Sequence, residues 1–265
     1  MSNHEGARAL GAAQVEAFVE KGFVKIEGAF PRAVADAARA LLWKDTGCVP
    51  EDPSTWTEPV IRLGMYSYGP FVEAANTGVL RSAFDTLVGP GRWLPCMSMG
   101  TFPVRFPSPD DPGDAGWHVD ASFGLESPDF FEWRTNVSSK GRALLMLFLF
   151  SDVGENDAPT RIRVGSHVDV ARTLAPAGDA GLSLRELVNG GCFDRAADRE
   201  IAFATGEAGT VYVCHPFLVH AAQAHRGTRA RFLAQPPLLP AAPFRLDGPR
   251  DEAPVEAAIR RALRT

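Results

Sequence analysis

Residues 142–152, Arg-Ala-Leu-Leu-Met-Leu-Phe-Leu-Phe-Ser-Asp, contain the longest purely apolar run of the chain, residues 143–150. This run is far too short to span a bilayer, and its length and composition indicate a strand. Turn-rich segments separate it from further predicted strands at 94–106, 116–121, 160–164, 200–204, 210–214 and 229–234. Several strands divided by turn signals predict a β-sandwich or jelly roll.

The flanking sequence has a different texture, with helical spacing of apolar residues. Helices are predicted at 11–21, from 31 to about 43, at 73–88, within 167–190 and at 254–264, and short strands at 23–26 and 60–63. No compositional boundary separates these elements from the strands. We therefore predict a mainly β fold with flanking α-helices, in a single domain over residues 1–265. Its parts are a helical buttress of about 1–93, a jelly-roll core of about 94–238 and a C-terminal helix of about 254–264.

Composition excludes several classes of protein. The 265 residues carry a formal net charge of -5, so no broad basic surface for nucleic acid is indicated. Four cysteines are present, none at CxxC spacing, which favours isolated reduced thiols over a zinc or redox site. We find no targeting segment and no membrane span, which predicts a soluble cytoplasmic protein that acts on a small molecule.

Residues 116–120, Gly-Trp-His-Val-Asp, place an imidazole and a carboxylate two positions apart. If this stretch is extended, His118 and Asp120 project from the same face and can bind one metal ion. A second histidine from elsewhere would complete the two-His-one-carboxylate set that suits ferrous iron and leaves coordination positions open. A lone His-x-Asp is weak, so the assignment depends on finding that third ligand.

The chain offers six histidines: His4, His118, His167, His215, His220 and His225. The first lies in a terminus expected to fray, and the third lies where a predicted strand turns into a helix, a place where polar side chains usually serve the turn. His220 ends an apolar segment, whereas Pro216 after His215 marks a bend or an edge. Spacing alone favours His220 over His215 only slightly, and either can be an ordinary core or surface histidine.

Two arginines follow these histidines. A ferrous site that activates oxygen needs an electron source, which in one large enzyme class is 2-oxoglutarate. The keto acid end of that molecule chelates iron, and its far carboxylate needs a fixed cation such as the planar fork of arginine. Arg229 and Arg231 lie on a predicted strand just beyond His220. Both also fit a solvated strand edge, so the residues alone do not choose between them.

Three ordered segments carry a family resemblance: residues 117–120 (WHVD), 152–167 (DVGENDAPTRIRVGSH) and 209–231 (GTVYVCHPFLVHAAQAHRGTRAR). Together they resemble the phytanoyl-CoA dioxygenase (PhyH-like) branch of the Fe(II)/2-oxoglutarate-dependent oxygenases. The resemblance covers roughly residues 94–238. It implies a cupin-like double-stranded β-helix, with Fe(II) as the metal and 2-oxoglutarate and O2 as co-substrates.

The same resemblance assigns roles to residues. It places the metal on His118, Asp120 and His220, and the far carboxylate of 2-oxoglutarate on Arg231. The family often has Gly-Ser-Gly after the last ligand, where this chain has Ala221-Ala222-Gln223. Because that serine is absent, the remaining co-substrate contacts are open, and Phe102 is a candidate for one.

The resemblance also implies a reaction. It is the oxidation, by default the hydroxylation, of a C–H bond of a small metabolite, with release of succinate and CO2. A Gly or Ala in place of Asp120 would have indicated a halogenase.

The segment 122–140 follows the metal motif and is rich in aromatic residues. A loop of this length is often functional, and a lid over the metal is one interpretation. Candidate substrate contacts are Phe123, Trp133, Arg134 and, from the preceding strand, Arg105. The other interpretation is that the aromatic rings only fix the loop to the sheet.

Two other functions compete with the oxygenase. One is a metal-dependent jelly-roll enzyme that does not use 2-oxoglutarate. The other is a non-catalytic jelly roll that binds a metabolite.

Overall fold

The computed structural model describes residues 10–247 and 253–264. These residues form the helices α1 Ala12–Lys21, α2 Arg32–Thr46, α3 Gly69–Ala75, α4 Gly78–Leu87, α5 His167–Leu174, α6 Leu184–Asn189 and α7 Pro254–Arg264. The strands are β1 Phe23–Ile26, β2 Val60–Leu63, β3 Phe102–Arg105, β4 Arg134–Thr135, β5 Leu144–Leu149, β6 Arg161–Arg163, β7 Leu182–Ser183, β8 Ile201–Phe203, β9 Val211–Cys214, β10 His220–Ala221, β11 Leu233–Ala234 and β12 Pro237–Leu238.

The apolar run at 143–150 forms β5, the central strand of a five-stranded antiparallel sheet. Strand β9 pairs with one edge of β5, and β11 and β12 pair with the other, while β1 extends the sheet beyond β9. The remaining strands form a three-stranded sheet in the order β10-β6-β8 and two small pairs, β2 with β3 and β4 with β7. The fold is thus mixed α/β with antiparallel sheets.

Burial on both faces explains why β5 has no polar residue. Leu144, Met146 and Phe148 belong to the larger core, which also contains apolar residues of α1 to α4. Leu145 and Leu147 point to the other face and belong to a smaller core shared with the three-stranded sheet. Because neighbouring side chains on a strand project to opposite faces, only a continuous apolar run can fill both cores.

Predicted and observed elements agree best where the apolar period is clear. The strands at 23–26 and 60–63 and the helices at 11–21 and 254–264 lie where the pattern indicates, within a residue or so of the observed bounds. The helix predicted at 73–88 is in fact two helices, α3 and α4. The Thr77 hydroxyl accepts a hydrogen bond from the Leu80 N–H, which caps α4 and starts a new helix there.

The metal motif is not the strand that its sequence predicts. Within residues 116–121, only His118 makes a bridge, and its partner is His220. The two residues exchange backbone hydrogen bonds of 3.0 Å in each direction. The strand predicted at 229–234 is likewise shorter in the structure, since only Leu233 and Ala234 of this segment join the main sheet.

Within residues 10–247 and 253–264, no helix combines the length and apolar character needed to cross a membrane.

Candidate metal centre

The bridge between His118 and His220 brings three potential ligands together. Their ligand atoms, with one from Asp120, all lie within 4.8 Å of one another. Oδ1 of Asp120 is 3.7 Å from Nε2 of His220 and 4.0 Å from Nε2 of His118. Two imidazoles and one carboxylate on one side of a small space are the ligand set that leaves other coordination positions open.

Hydrogen bonds fix which ring nitrogen each histidine presents. Nδ1 of His118 lies 2.9 Å from the Gly116 carbonyl oxygen, and Nδ1 of His220 lies 3.0 Å from that of Leu218. A carbonyl oxygen only accepts, so each Nδ1 must carry the proton and each Nε2 keeps a lone pair. Nε2 of His220 is buried and has no hydrogen-bond partner among the described residues. Each ring is therefore held by a backbone carbonyl at Nδ1, an arrangement that would leave Nε2 available to a metal ion.

The charge state of the site also suits a cation. Burial and then the neighbouring His118 lower the pKa of His220 to about 4, so this ring is neutral at pH 7. Burial opposes ionisation of Asp120, but Arg142 and the two histidines outweigh it and hold the pKa of that carboxyl below its usual value. At neutral pH the site therefore offers the neutral imidazole of His220 and the carboxylate of Asp120 beside the ring of His118.

Arg142, just before β5, holds the carboxylate of Asp120. Its Nη1 lies 3.2 Å from Oδ2, and its Nη2 donates to the Ala121 carbonyl at 3.2 Å. Gly141 makes this approach possible, because a Cβ there would lie only 1.8 Å from the Ser122 carbonyl oxygen. The glycine lets the backbones of 121–122 and 141–142 touch, and so puts Arg142 beside the site.

A second arginine fixes the backbone on the other side of the motif. Nη2 of Arg161 donates to the carbonyl oxygens of Ala115 at 2.7 Å and of Ala222 at 2.8 Å. Its guanidinium also lies 4.7 Å from the centroid of the Trp117 ring, and that of Arg163 lies 4.3 Å away. These contacts join the two chain segments that carry the histidines.

The three ligands line an open cavity of about 860 Å³. The large apolar side chains that line it are Leu125, Phe130, Phe131, Trp133, Leu184, Val188 and Phe193. The charged side chains that line it include Arg62, Arg105, Asp114 and Arg142. This volume falls in the usual range for small-molecule sites, and the mixed lining suits a ligand with an apolar body and polar groups.

The structure separates the two candidate arginines clearly. The Arg229 side chain is 67% exposed and lies 3.7 Å from Asp157. Arg231 is only 2% exposed, and its guanidinium donates to the carbonyl oxygens of Ala158 at 2.6 Å and Pro103 at 3.3 Å. Burial and then Arg105 lower its pKa to about 9, so it remains charged at pH 7.

Phe102 does not lie where a co-substrate contact is expected. Its ring is fully buried among Tyr66, Phe71 and Phe150, with centroid distances of 5.2 to 5.5 Å. The neighbouring positions 103 and 105 of β3 line the cavity instead. Phe102 lies on the face of β3 that points into the core and does not line this cavity.

The aromatic segment 122–140 contributes to the cavity only in part. Trp133 lines it, and its Nε1 donates to the Ser127 carbonyl at 2.8 Å. Phe123 and Arg134 are not among the lining residues. Arg134 instead donates to the carbonyls of residues 180 and 181, and its Nη2 lies 3.3 Å from Glu186. It thus fixes the segment to the chain before α6, and its expected role as a substrate contact stays a prediction.

Sequence reasoning missed two contributors to the site. From the sequence, Arg142 is only the first residue of a predicted apolar strand. A charge at the end of such a run is nevertheless a usable signal of a functional role. The apolar side chains of α6 and after it, Leu184, Val188 and Phe193, gave no local signal. They come to the cavity through the pairing of β4 with β7, which joins segments almost fifty residues apart.

The other histidines lie elsewhere. The rings of His167 and His215 are buried against each other, with centroids 4.9 Å apart. Nε2 of each lies near a backbone carbonyl, that of Val19 at 3.1 Å and that of Val255 at 3.2 Å. His215 is therefore a core histidine. His4 lies outside the described residues.

The fold resembles several solved structures. HygX from Streptomyces hygroscopicus, solved with nickel, 2-oxoglutarate and hygromycin B, is 18% identical, with a TM-score of 0.54 over 92% of this chain and 94% of that one. SnoK, a non-heme alpha-ketoglutarate-dependent carbocyclase from nogalamycin biosynthesis, is 17% identical, with a TM-score of 0.53 over 93% and 92%. EctD from S. alaskensis is 20% identical, with a TM-score of 0.53 over 98% and 89%.

At these identities the likeness shows that the chain shares the fold of these proteins. No family model matches the sequence, and no curated protein matches it either.

Proposed function

We propose that this protein is an Fe(II)- and 2-oxoglutarate-dependent oxygenase that hydroxylates a C–H bond of a small metabolite. The observation that carries the proposal is the convergence of His118, Asp120 and His220, with both Nε2 atoms turned toward the carboxylate, in a cavity of about 860 Å³. Support comes from the solved proteins with this fold, among which HygX binds iron in one structure and 2-oxoglutarate in another.

The residues present fit the metal. Nε2 of His118, Nε2 of His220 and Oδ1 of Asp120 would hold Fe(II), and the ligand types match non-heme iron oxygenases with open positions. Iron and 2-oxoglutarate, when bound with O2, supply the oxidation of a C–H bond, with release of succinate and CO2. The protein contributes the fixed ligands, the orientation of the substrate and a wall that excludes water.

Arg231 is our candidate for the cation that receives the far carboxylate of 2-oxoglutarate. It is buried and charged, whereas Arg229 lies in solvent. A buried guanidinium fixed by two carbonyl oxygens has a defined position, and a carboxylate is its natural partner.

The substrate would lie in this cavity, in contact with its apolar and its charged side chains. Leu125, Phe130, Phe131 and Val188 are about half exposed, although they are large and apolar. An apolar ligand that covers such side chains removes their apolar surface from water, which favours binding. We therefore infer a substrate with an apolar or ring-shaped body. Asp120 occupies the position that a halide would need, which favours hydroxylation.

We further propose that the two sheets belong to a double-stranded β-helix, and that the chain belongs to the PhyH-like branch. The support is the order of the three matching segments around residues 117–120, 152–167 and 209–231. We also propose a single domain, with a helical buttress to about residue 93, a core to about 238 and a C-terminal helix from about 254 to 264.

The deciding experiment is an anaerobic titration of the purified protein with Fe(II) and then 2-oxoglutarate. We expect a visible charge-transfer band that saturates at one equivalent, followed by succinate release on exposure to O2 and substrate. Metal binding without the band would favour an enzyme that does not use 2-oxoglutarate. Absence of metal binding would favour a metabolite-binding protein.

A further inference from the structure

Two buried arginines lie side by side near the proposed co-substrate position. Arg105 and Arg231 form an antiparallel bridge, with backbone hydrogen bonds of 3.1 and 2.8 Å. Residues directly opposite in such a pair project to the same face, so the two guanidiniums share one region. Each residue is only 2% exposed.

The charge in this region is not balanced by the side chains present. Asp114 serves both Arg105 and the half-exposed Arg62, with Oδ2 2.6 Å from a nitrogen of each. Arg231 donates to carbonyl oxygens, and no carboxylate among residues 10–247 and 253–264 forms an ion pair with it. The nearby ring of His225 has its pKa lowered to about 4, mainly by burial, so it adds no charge at pH 7. Among the described residues, Asp114 is therefore the carboxylate that pairs with this group of arginines, while the nearby Asp157 lies 3.7 Å from the exposed Arg229.

Hydrogen-bonding capacity is also left over. Nε and Nη1 of Arg105 and Nε of Arg231 are buried and have no partner within the described residues. Leaving buried charged donors without partners is costly, and a bound anion removes that cost. Both terminal nitrogens of Arg231 already donate to carbonyl oxygens, so this residue alone offers no free fork. Arg105 lines the cavity and has two nitrogens free.

We propose that Arg105 is a second co-substrate-binding residue, which receives the far carboxylate of 2-oxoglutarate together with Arg231. The inference rests on the proposed function and assigns Arg105 to the co-substrate, whereas the sequence had suggested the substrate. Arg105 supplies the free donors, and Arg231 supplies a fixed charge behind it. Asp114 orients Arg105 through Nη2 and leaves the other two nitrogens available.

The test compares 2-oxoglutarate with 2-oxovalerate, which has the same keto acid end and chain length but a methyl group in place of the far carboxylate. Both are titrated anaerobically into the Fe(II)-loaded protein. We expect Arg105→Gln to weaken 2-oxoglutarate binding about ten- to hundredfold and to leave 2-oxovalerate binding unchanged, because only the former loses a charge-assisted hydrogen bond. Arg105→Lys keeps the charge and should give an intermediate loss.

Three controls make the outcome decisive. Arg229→Gln removes a nearby exposed charge and should change neither affinity. Arg62→Gln removes the other partner of Asp114 and should cost less than Arg105→Gln. Fe(II) affinity and the melting temperature report whether a variant has folded. If Arg105→Gln does not fold, Arg105→Lys takes its place in the comparison.

Three other outcomes would contradict the inference, and each has a different meaning. Equal losses for the two keto acids would mean that Arg105 acts through the fold or the metal. Unchanged 2-oxoglutarate binding in Arg105→Gln would overturn the inference while the proposed function stands. A wild-type protein that gives no charge-transfer band would remove the proposed function and this inference with it.

Discussion

Nη1 of Arg142 lies 3.2 Å from Oδ2 of Asp120, while Oδ1 of the same carboxylate is the oxygen that approaches both histidine rings. The two oxygens therefore have different roles. One is held by a guanidinium that is itself mostly buried, and the other is left for a metal ion. The arginine compensates the carboxylate when no metal is present, in a place where an unpaired charge is costly.

Arg142→Gln should destabilise the metal-free protein by about 2 kcal/mol, because Asp120 loses its charged partner. A divalent cation replaces that charge, so adding Ni(II) should raise the melting temperature of the variant more than that of the wild type. Thermal melts with and without Ni(II) measure both effects. Equal melting temperatures of the two metal-free proteins would contradict this role for Arg142.

Asp120→Asn and His220→Ala each remove one proposed metal ligand. We expect losses of metal affinity greater than the roughly 10- to 100-fold typical when a residue that only hydrogen-bonds to a metal ligand is changed. Anaerobic calorimetry with Fe(II) measures the affinity. Asp110→Asn, which removes an exposed carboxylate from the preceding loop, is the matched control and should bind metal like the wild type. Metal binding that survives in both ligand variants would move the site elsewhere.

Arg231→Gln should weaken 2-oxoglutarate binding about ten- to hundredfold with little change in Fe(II) affinity, because the fixed positive charge beside Arg105 is lost. Arg229→Gln should have no comparable effect, since that side chain is 67% exposed. The charge-transfer titration gives both dissociation constants. The opposite order of the two variants would show that the exposed arginine is the anchor.

Stability should fall in mild acid because His167 is buried in its neutral form. Burial lowers its pKa from 6.5 to about 4, with Val19 as its hydrogen-bond partner. The unfolded chain takes up a proton near pH 6.5 but the folded chain only near pH 4. Stability is therefore lost as the pH falls through this window, by about 3 kcal/mol from this residue.

Denaturant unfolding of the wild type and His167→Gln at pH 7.5, 5.5 and 4.5 measures that loss. The amide can still donate to the Val19 carbonyl but does not titrate in this range. The variant should show a weaker pH dependence than the wild type. Identical slopes would mean that other groups, such as His215 or His220, carry the acid sensitivity.

Arg134→Ala tests whether that residue fixes the aromatic segment 122–140. Its contacts with the carbonyls of residues 180 and 181 fix the aromatic segment, so the variant should exchange amide hydrogens faster at 123–135 and 180–186. The cost in global stability should be about 1 kcal/mol. The charge-transfer band with 2-oxoglutarate should be unchanged. A weaker band with normal exchange would instead place Arg134 at the ligand.

Local sequence was a good guide to elements and ligand types. Burial of both faces of β5 could be predicted from its eight consecutive apolar residues. Such a run places apolar side chains on both faces of a strand, and both faces are then stable only when buried. His118 and Asp120 could be paired because they lie two positions apart in one extended segment. The predicted ends of strands were less accurate. Residues 116–121 and 229–234 have few sheet partners, and a segment's partners come from elsewhere in the chain.

The sequence by itself determined which residue types were available for a metal and an anion, and in what order they occur. Tertiary structure decided which of them meet. His220 rather than His215 faces Asp120, because its backbone pairs with His118. Arg105 and Arg231 share a face, Phe102 points into the core, and Arg142 reaches Asp120, each because of the strand or backbone segment opposite. Local pattern fixes a side chain's face within its own segment, but only long-range pairing fixes which other segment it meets.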